Sequence, residues 1–230
     1  MYLGGNKGHV IMSESVIALN HVYNCRGSQG DGIEVKQGSW GNLIAENEVH
    51  DCNYPCITVY GTGNKPQNII ERNLCYRSLD SVMQVQGEAI VRNNVLIDGK
   101  NAAFASTDHQ GKTTNLQVMH NTLVNTSHAF HGGSWNGREN MLLANNVIYS
   151  KEQNAMHFAN GFAGITIAGN VVLGDGAKHG SPLGRGLVDF KELAWDATKH
   201  DATPSHDAPF DRGVEAYRPP VELTGNSFRK

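Results

Sequence analysis

Through residue 173 the chain is built of short apolar pieces that alternate residue by residue with polar ones, and helical spacing is absent. Period-2 alternation is the mark of strands. One phrase recurs: an apolar residue, two further residues, Asn, one residue, then an apolar residue. It reads Ile17-Ala18-Leu19-Asn20-His21-Val22, then Ile44-Ala45-Glu46-Asn47-Glu48-Val49, then Ile70-Glu71-Arg72-Asn73-Leu74-Cys75. It returns as Ile90-Val91-Arg92-Asn93-Asn94-Val95 and Val118-Met119-His120-Asn121-Thr122-Leu123. Leu142-Leu143-Ala144-Asn145-Asn146-Val147 and Ile167-Ala168-Gly169-Asn170-Val171-Val172 complete the series. With Asn93 and Asn145 taken as the repeat positions, the spacings are 27, 26, 20, 28, 24 and 25. A second apolar piece follows most of these, as in Ile33-Glu34-Val35, Ile57-Thr58-Val59, Met83-Gln84-Val85 and Met156-His157-Phe158. Gly, Asn, Ser and Pro fill the gaps, where turns are expected.

A repeat of this size cannot bury its own apolar face, but copies stacked on one another can. Parallel stacking also pairs each backbone N–H and C=O with the coil above or below. The expected fold is all-β: a parallel β-helix of about seven coils over residues 1–175, closed by an irregular C-terminal cap over 176–230. The recurring Asn fits a bend that tolerates left-handed backbone geometry. Its stacked amides would form a hydrogen-bonded ladder.

These repeats resemble those of the right-handed parallel β-helix superfamily, the pectate-lyase-like proteins, over about residues 10–175. Members include polysaccharide lyases, glycoside hydrolases, uronan epimerases and proteins with no known activity. The resemblance implies a carbohydrate-active protein with a polysaccharide partner, and an extracellular or periplasmic location. No signal peptide is visible after Met1. The first repeat begins with no capping segment before it, so further N-terminal coils or a partner subunit are expected there. In the tail, five of the seven prolines lie beyond residue 180 and Asp189–Trp195 reads as a short helix. Phe210-Asp211-Arg212-Gly213-Val214-Glu215-Ala216-Tyr217 is similar to the C-terminal cap of secreted β-helix proteins, with Arg212 and Glu215 departing from it.

Composition removes other classes. No apolar run approaches a membrane span. A net charge of -3 gives no basic footprint for nucleic acid. No motif for an organic cofactor appears. Cys25 and Cys52 each lie five residues after a repeat Asn, so they stack on adjacent coils, as a disulfide or as free thiols. Cys75 falls at an inward apolar position.

Registering the second strand of each repeat gives one outward row, Glu34, Thr58, Gln84, Ala105, His131 and His157. A neighbouring row is Lys36, Tyr60, Gln86 and Thr107. Two groups follow. The first is Asp31, Glu34, Lys36 and Tyr60. The segment Gly32-Ile33-Glu34-Val35-Lys36-Gln37-Gly38-Ser39 is similar to the Glu…Lys strand of the chondroitinase B and alginate lyase family. That similarity implies Asp31 and Glu34 as Ca²⁺ ligands and Lys36 as the base that removes the proton α to a uronate carboxylate. The next coil reads Thr58-Val59-Tyr60-Gly61, without that family's Arg-His-Gly. The second group is Asp108, His109, His131, Trp135 and His157, with Arg138 in a neighbouring turn. Here Asp and His form an acid–base pair, Trp135 a sugar-stacking face, and His131 with His157 and Asp108 a set that suits a divalent metal. Lys36, Tyr60 and His131 are the catalytic candidates. Gln84, Asp108, His109, Trp135, Arg138 and His157 are the substrate-binding candidates. The expected function is a lyase or epimerase on uronate-containing polysaccharide; the alternative is a non-catalytic glycan-binding or structural domain.

Overall fold

The structure is a computed structural model that describes residues 1–176, 179, 181–210 and 214–217. It is a solenoid of three parallel sheets, each of seven strands, so six coil-to-coil steps separate its ends. The first sheet runs Tyr2–Leu3, Ile33–Val35, Ile57–Val59, Met83–Val85, Ala102–Ser106, His128–Gly132 and Met156–His157. The second runs Val16–Ala18, Leu43–Ala45, Asn68–Glu71, Ala89–Arg92, Leu116–Met119, Leu142–Ala144 and Thr166–Ala168. The third runs His21–Cys25, Glu48–Cys52, Leu74–Ser78, Val95–Gly99, Thr122–Asn125, Val147–Asn154 and Val171–Asp175. Among the described residues no α-helix forms, and no helix is long and apolar enough to cross a membrane.

Like side chains stack on like. Ile44, Ile70, Val91, Val118 and Leu143 are register partners along the second sheet and are fully buried. Ile33, Ile57, Met83, Phe104 and Phe130 do the same on the first. This is the inward half of the alternation seen in the repeats.

The amide ladder runs the length of the stack, with one adjustment. Its members are Asn20, Asn47, Asn73, Asn94, Asn121, Asn146 and Asn170, each but the last donating from Nδ2 to the next Oδ1 at 2.8–3.0 Å. The steps are 27, 26, 21, 27, 25 and 24 residues. Asn93 and Asn145 therefore sit one place before the ladder. They occupy the left-handed position of the bend, at φ 55° and 56°. The same position holds Leu19, Glu46, Arg72, His120 and Gly169 in the other coils. An Asn-Asn pair satisfies either register, because Asn suits both a left-handed φ and an inward amide. A shorter ladder, Asn42 to Asn68 at 3.0 Å, braces the entrance to the second sheet.

The tail corrects the expected helix at Asp189–Trp195. Phe190–Leu193 is a strand, paired antiparallel with His200–Pro204. Its two ends, Phe190 and Leu193, are buried while Lys191 and Glu192 face out. The third sheet explains why. Its outward residues include Leu74, Tyr76, Val95, Ile97, Val124 and Tyr149, so that face is apolar too and the tail covers it. Asp189, wholly buried, accepts the Tyr149 hydroxyl at 2.5 Å and the Arg185 Nε at 2.7 Å. The cap-like segment keeps Phe210 against this cluster; its Asp211, Arg212 and Gly213 lie outside the described residues.

All four cysteines are free thiols. Cys25 and Cys52 are register partners on adjacent coils, and Cys75 is buried among core residues. Burial, then the neighbouring Cys52, pushes the Cys25 thiol up to about 11.

Candidate functional site

The outward row of the first sheet has the register read from the repeats. Glu34 pairs with Thr58, Thr58 with Gln84, Gln84 with Ala105, Ala105 with His131, and His131 with His157. Both candidate groups lie along this row, but apart. Four coil steps of about 4.8 Å separate Glu34 from His131, roughly 19 Å. Lys36 and Tyr60 therefore share a site that His131 does not enter.

The Glu34 and Lys36 side chains lie on one face. Lys36 Nζ is 2.6 Å from Glu34 Oε1, and both side chains are nearly buried. The same Nζ sits 4.8 Å from the ring centres of Tyr2 and Tyr60, on the coils before and after. An ammonium between two aromatic faces is favourable where water is excluded. Asp31 Oδ1 accepts the Thr58 hydroxyl at 2.6 Å. Burial pushes the Asp31 carboxyl up; the Thr58 hydrogen bond pulls against it, and the Glu34 charge adds to it. Burial, then the charges of Glu34 and Asp31, raise the Tyr60 phenol above its ordinary range. His109 stacks on Tyr60 at 5.5 Å, so it joins this group and not the histidines further along.

A cavity of about 440 Å³ opens beside the cluster. The residues that follow Lys36, Tyr60 and His109 in sequence, namely Gln37, Gly61 and Gln110, line it. Gln86, Lys112 and Arg138 line it as well. Gln86 is buried, and its Nε2 has no hydrogen-bond partner. A buried donor without a partner is costly unless a ligand or water meets it. The rim is fixed by Glu88, whose carboxylate accepts the amides of Thr62, Gly63 and Asn64 at 2.5–3.0 Å.

As Ca²⁺ ligands, Asp31 and Glu34 form a poor set. Ca²⁺ takes about six to eight oxygens. This pair offers two carboxylates, one already held by an ammonium and the other by a hydroxyl.

The second group is rearranged. Trp135 is fully buried, edge-on to Phe130 at 5.0 Å, so it belongs to the core and offers no sugar-stacking face. It sits in a turn whose polar neighbours suggested exposure. Asp108 is engaged by Arg138 Nη2 at 2.7 Å and by the Thr113 amide at 2.8 Å, away from the imidazoles. His131 Nδ1 lies 3.1 Å from His157 Nδ1, and His128 stacks on His157 at 4.4 Å. Burial, then His157, lowers the ordinary pKa of both His128 and His131.

A further group on the third sheet was not anticipated. His21 Nε2 is 2.9 Å from His50 Nε2, and Glu48 is the register partner of His21. One ligand atom from each of the three lies within 4.8 Å of the others. His21 and Glu48 both directly follow a ladder Asn, which was the signal available in the repeats.

Three parallel sheets, in-register apolar stacks and an amide ladder define a parallel β-solenoid, with polar residues along the outer face of its first sheet and a largely apolar, tail-covered outer face on its third. A family model described as the right-handed β-helix region matches residues 2–172, and the chain belongs to that family. No match was found among curated proteins or among solved structures.

Proposed function

We propose that the chain acts on a uronate-containing polysaccharide, as a lyase or epimerase, at the Lys36 cluster and its adjoining cavity. The supporting observation is the buried Lys36–Glu34 pair, clasped between Tyr2 and Tyr60 beside a cavity lined by amide and cationic side chains and by the carboxylates of Glu88 and Glu139. Both reactions begin with loss of the uronate C5 proton, and charge then builds on the uronate carboxylate. Cations aimed at that charge lower the barrier. Lys36, committed to Glu34, serves here as positive charge and not as the base. The His109 imidazole takes the C5 proton. In elimination the C5–H electron pair becomes the C4–C5 double bond, the C4–O bond breaks, and the Tyr60 phenol protonates the departing oxygen. In epimerisation the phenol returns a proton to C5 from the opposite side. An exported location and a polysaccharide partner belong to the same reading.

An absorbance assay for unsaturated uronate on alginate, pectate and chondroitin tests it, with C5 proton exchange in D₂O as the epimerase readout. One polymer is expected to respond, and Tyr60→Phe and His109→Ala are each expected to slow the response about 100-fold or more. Silence in both readouts, from folded protein, overturns the catalytic reading. A second reading, non-catalytic glycan binding, is favoured by Gln86, which lines the cavity and whose buried Nε2 has no hydrogen-bond partner. Silence together with retardation in a polymer-containing gel, lost in Gln86→Leu, selects it.

A further inference from the structure

The third sheet carries a constellation unrelated to the cavity. His21 stands on the first coil, and Glu48 and His50 on the second. His50 is oriented from behind. Its Nδ1 lies 2.6 Å from Asp51 Oδ2, and Arg77 grips Asp51 through Nε at 2.8 Å and Nη2 at 2.7 Å. Arg77 Nη2 also lies 3.4 Å from His50 Nδ1, but two donors cannot bond each other. The shorter contact therefore puts the proton on Nδ1, pointing at the carboxylate. The Nε2 lone pair of His50 then faces His21. A carboxylate behind an imidazole is the usual outer support of a metal-binding histidine. Tyr76 donates to Glu48 Oε1 at 2.8 Å, which leaves Oε2 available. His50 is further held between Tyr23 and Tyr76, whose rings stack on it at 5.4 and 4.6 Å.

From this geometry we propose that His21, Glu48 and His50 bind one first-row divalent transition-metal ion, such as Zn²⁺ or Co²⁺. Metal–nitrogen bonds of about 2.1 Å at a tetrahedral angle put two nitrogens roughly 3.4 Å apart. The two Nε2 atoms are 2.9 Å apart, so a ring shift of about 0.5 Å opens the pair to that span. Two imidazoles and one carboxylate suit such an ion better than Ca²⁺ or Mg²⁺. His21 is exposed, so water completes the coordination. The ion ties the first coil to the second and acts as a cross-brace there.

Titration of the full, untagged chain with Co²⁺, followed by visible absorption, tests the site. One ion per chain is expected. His21→Ala and His50→Ala should each weaken binding at least about 100-fold, and Asp51→Asn about 10–100-fold through the lost support. His21 is exposed, so its variant keeps the fold, which circular dichroism checks. With Zn²⁺, amide exchange should slow across residues 16–25. No saturable binding overturns the proposal. So does a signal that survives His21→Ala but is lost in His157→Ala, which places the ion at the other histidines. A signal lost in Cys25→Ser or Cys52→Ser and kept in His21→Ala assigns it to the thiols and rejects the site equally.

Discussion

Asn121→Ala is expected to lower the unfolding free energy by about 4 kcal/mol or more. The Asn121 amide sits in the middle of the ladder and is almost wholly buried. Its Nδ2 reaches the carbonyls of Val91 and Met119 and Asn146 Oδ1, all at 3.0 Å. Its Oδ1 accepts both the backbone amide and the side chain of Asn94, again at 3.0 Å. Alanine strands the two carbonyls and the Asn94 amide away from water, and each stranded group costs about 1–3 kcal/mol. Asn121→Asp should be worse, because it sets a carboxylate against three acceptor oxygens. Burial and those oxygens raise the folded-state pKa of the new carboxyl. Its penalty is therefore small at low pH and grows as pH rises through the unfolded value near 3.9. Urea unfolding of both variants from pH 4 to 8 checks this. A loss under about 1 kcal/mol for the alanine variant, or a gap between the two that is flat with pH, would show that the ladder carries little energy.

The second large effect concerns the tail. Asp189→Ala is expected to cost about 3 kcal/mol and to loosen the antiparallel hairpin from the third sheet. The carboxylate holds the Tyr149 hydroxyl, the Arg185 guanidinium and the Arg185 amide at 2.5–2.7 Å. Arg185 is half exposed and regains water once released, so most of the cost falls on the stranded Tyr149 hydroxyl and the lost packing. Burial pushes the Asp189 carboxyl up, but the Tyr149 and Arg185 hydrogen bonds outweigh it and the net shift is downward. A lowered folded-state pKa means the stabilisation is complete above the unfolded value, near 3.9, and lost as pH falls through the folded one. Trp195 packs against this cluster, so its emission reports the hairpin. It should shift in Asp189→Ala at pH 7 and in the native chain at strongly acid pH. Unchanged Trp195 emission in the variant would show that the clasp does not hold the tail.

The solenoid was legible because period-2 alternation and a near-constant repeat leave few alternatives. The outward row from Glu34 to His157 followed from the same register, since a one-residue slip would have turned Ile33 and Ile57 out of the core. Where local chemistry allowed two answers, the repeats did not choose: Asn93 and Asn94 both suit the bend. The tail strand was missed because Phe190 and Leu193, three residues apart, imitate a helical face. Their true partner is the outer apolar face of a sheet assembled from five distant repeats. Trp135 was misplaced for a similar reason, because turn residues around it gave no hint of the Phe130 ring beneath. The histidine pair of the third sheet was readable in principle, but only after the coils had been stacked.

The amide-to-amide bonds of the ladder all run one way along the solenoid axis, each Nδ2 donating to the Oδ1 of the following coil, while the Nδ2 of the inner members also reaches back to a carbonyl of the preceding coil. The file of side chains therefore has a donor-led and an acceptor-led end, and aligned amides polarise one another. Removal of a middle member divides this file in two, whereas removal of an outer one only shortens it. The polarity also fixes how such stacks can be joined. Two solenoids that continue one another through this ladder must meet head to tail, and a two-fold symmetric meeting would set like ends face to face.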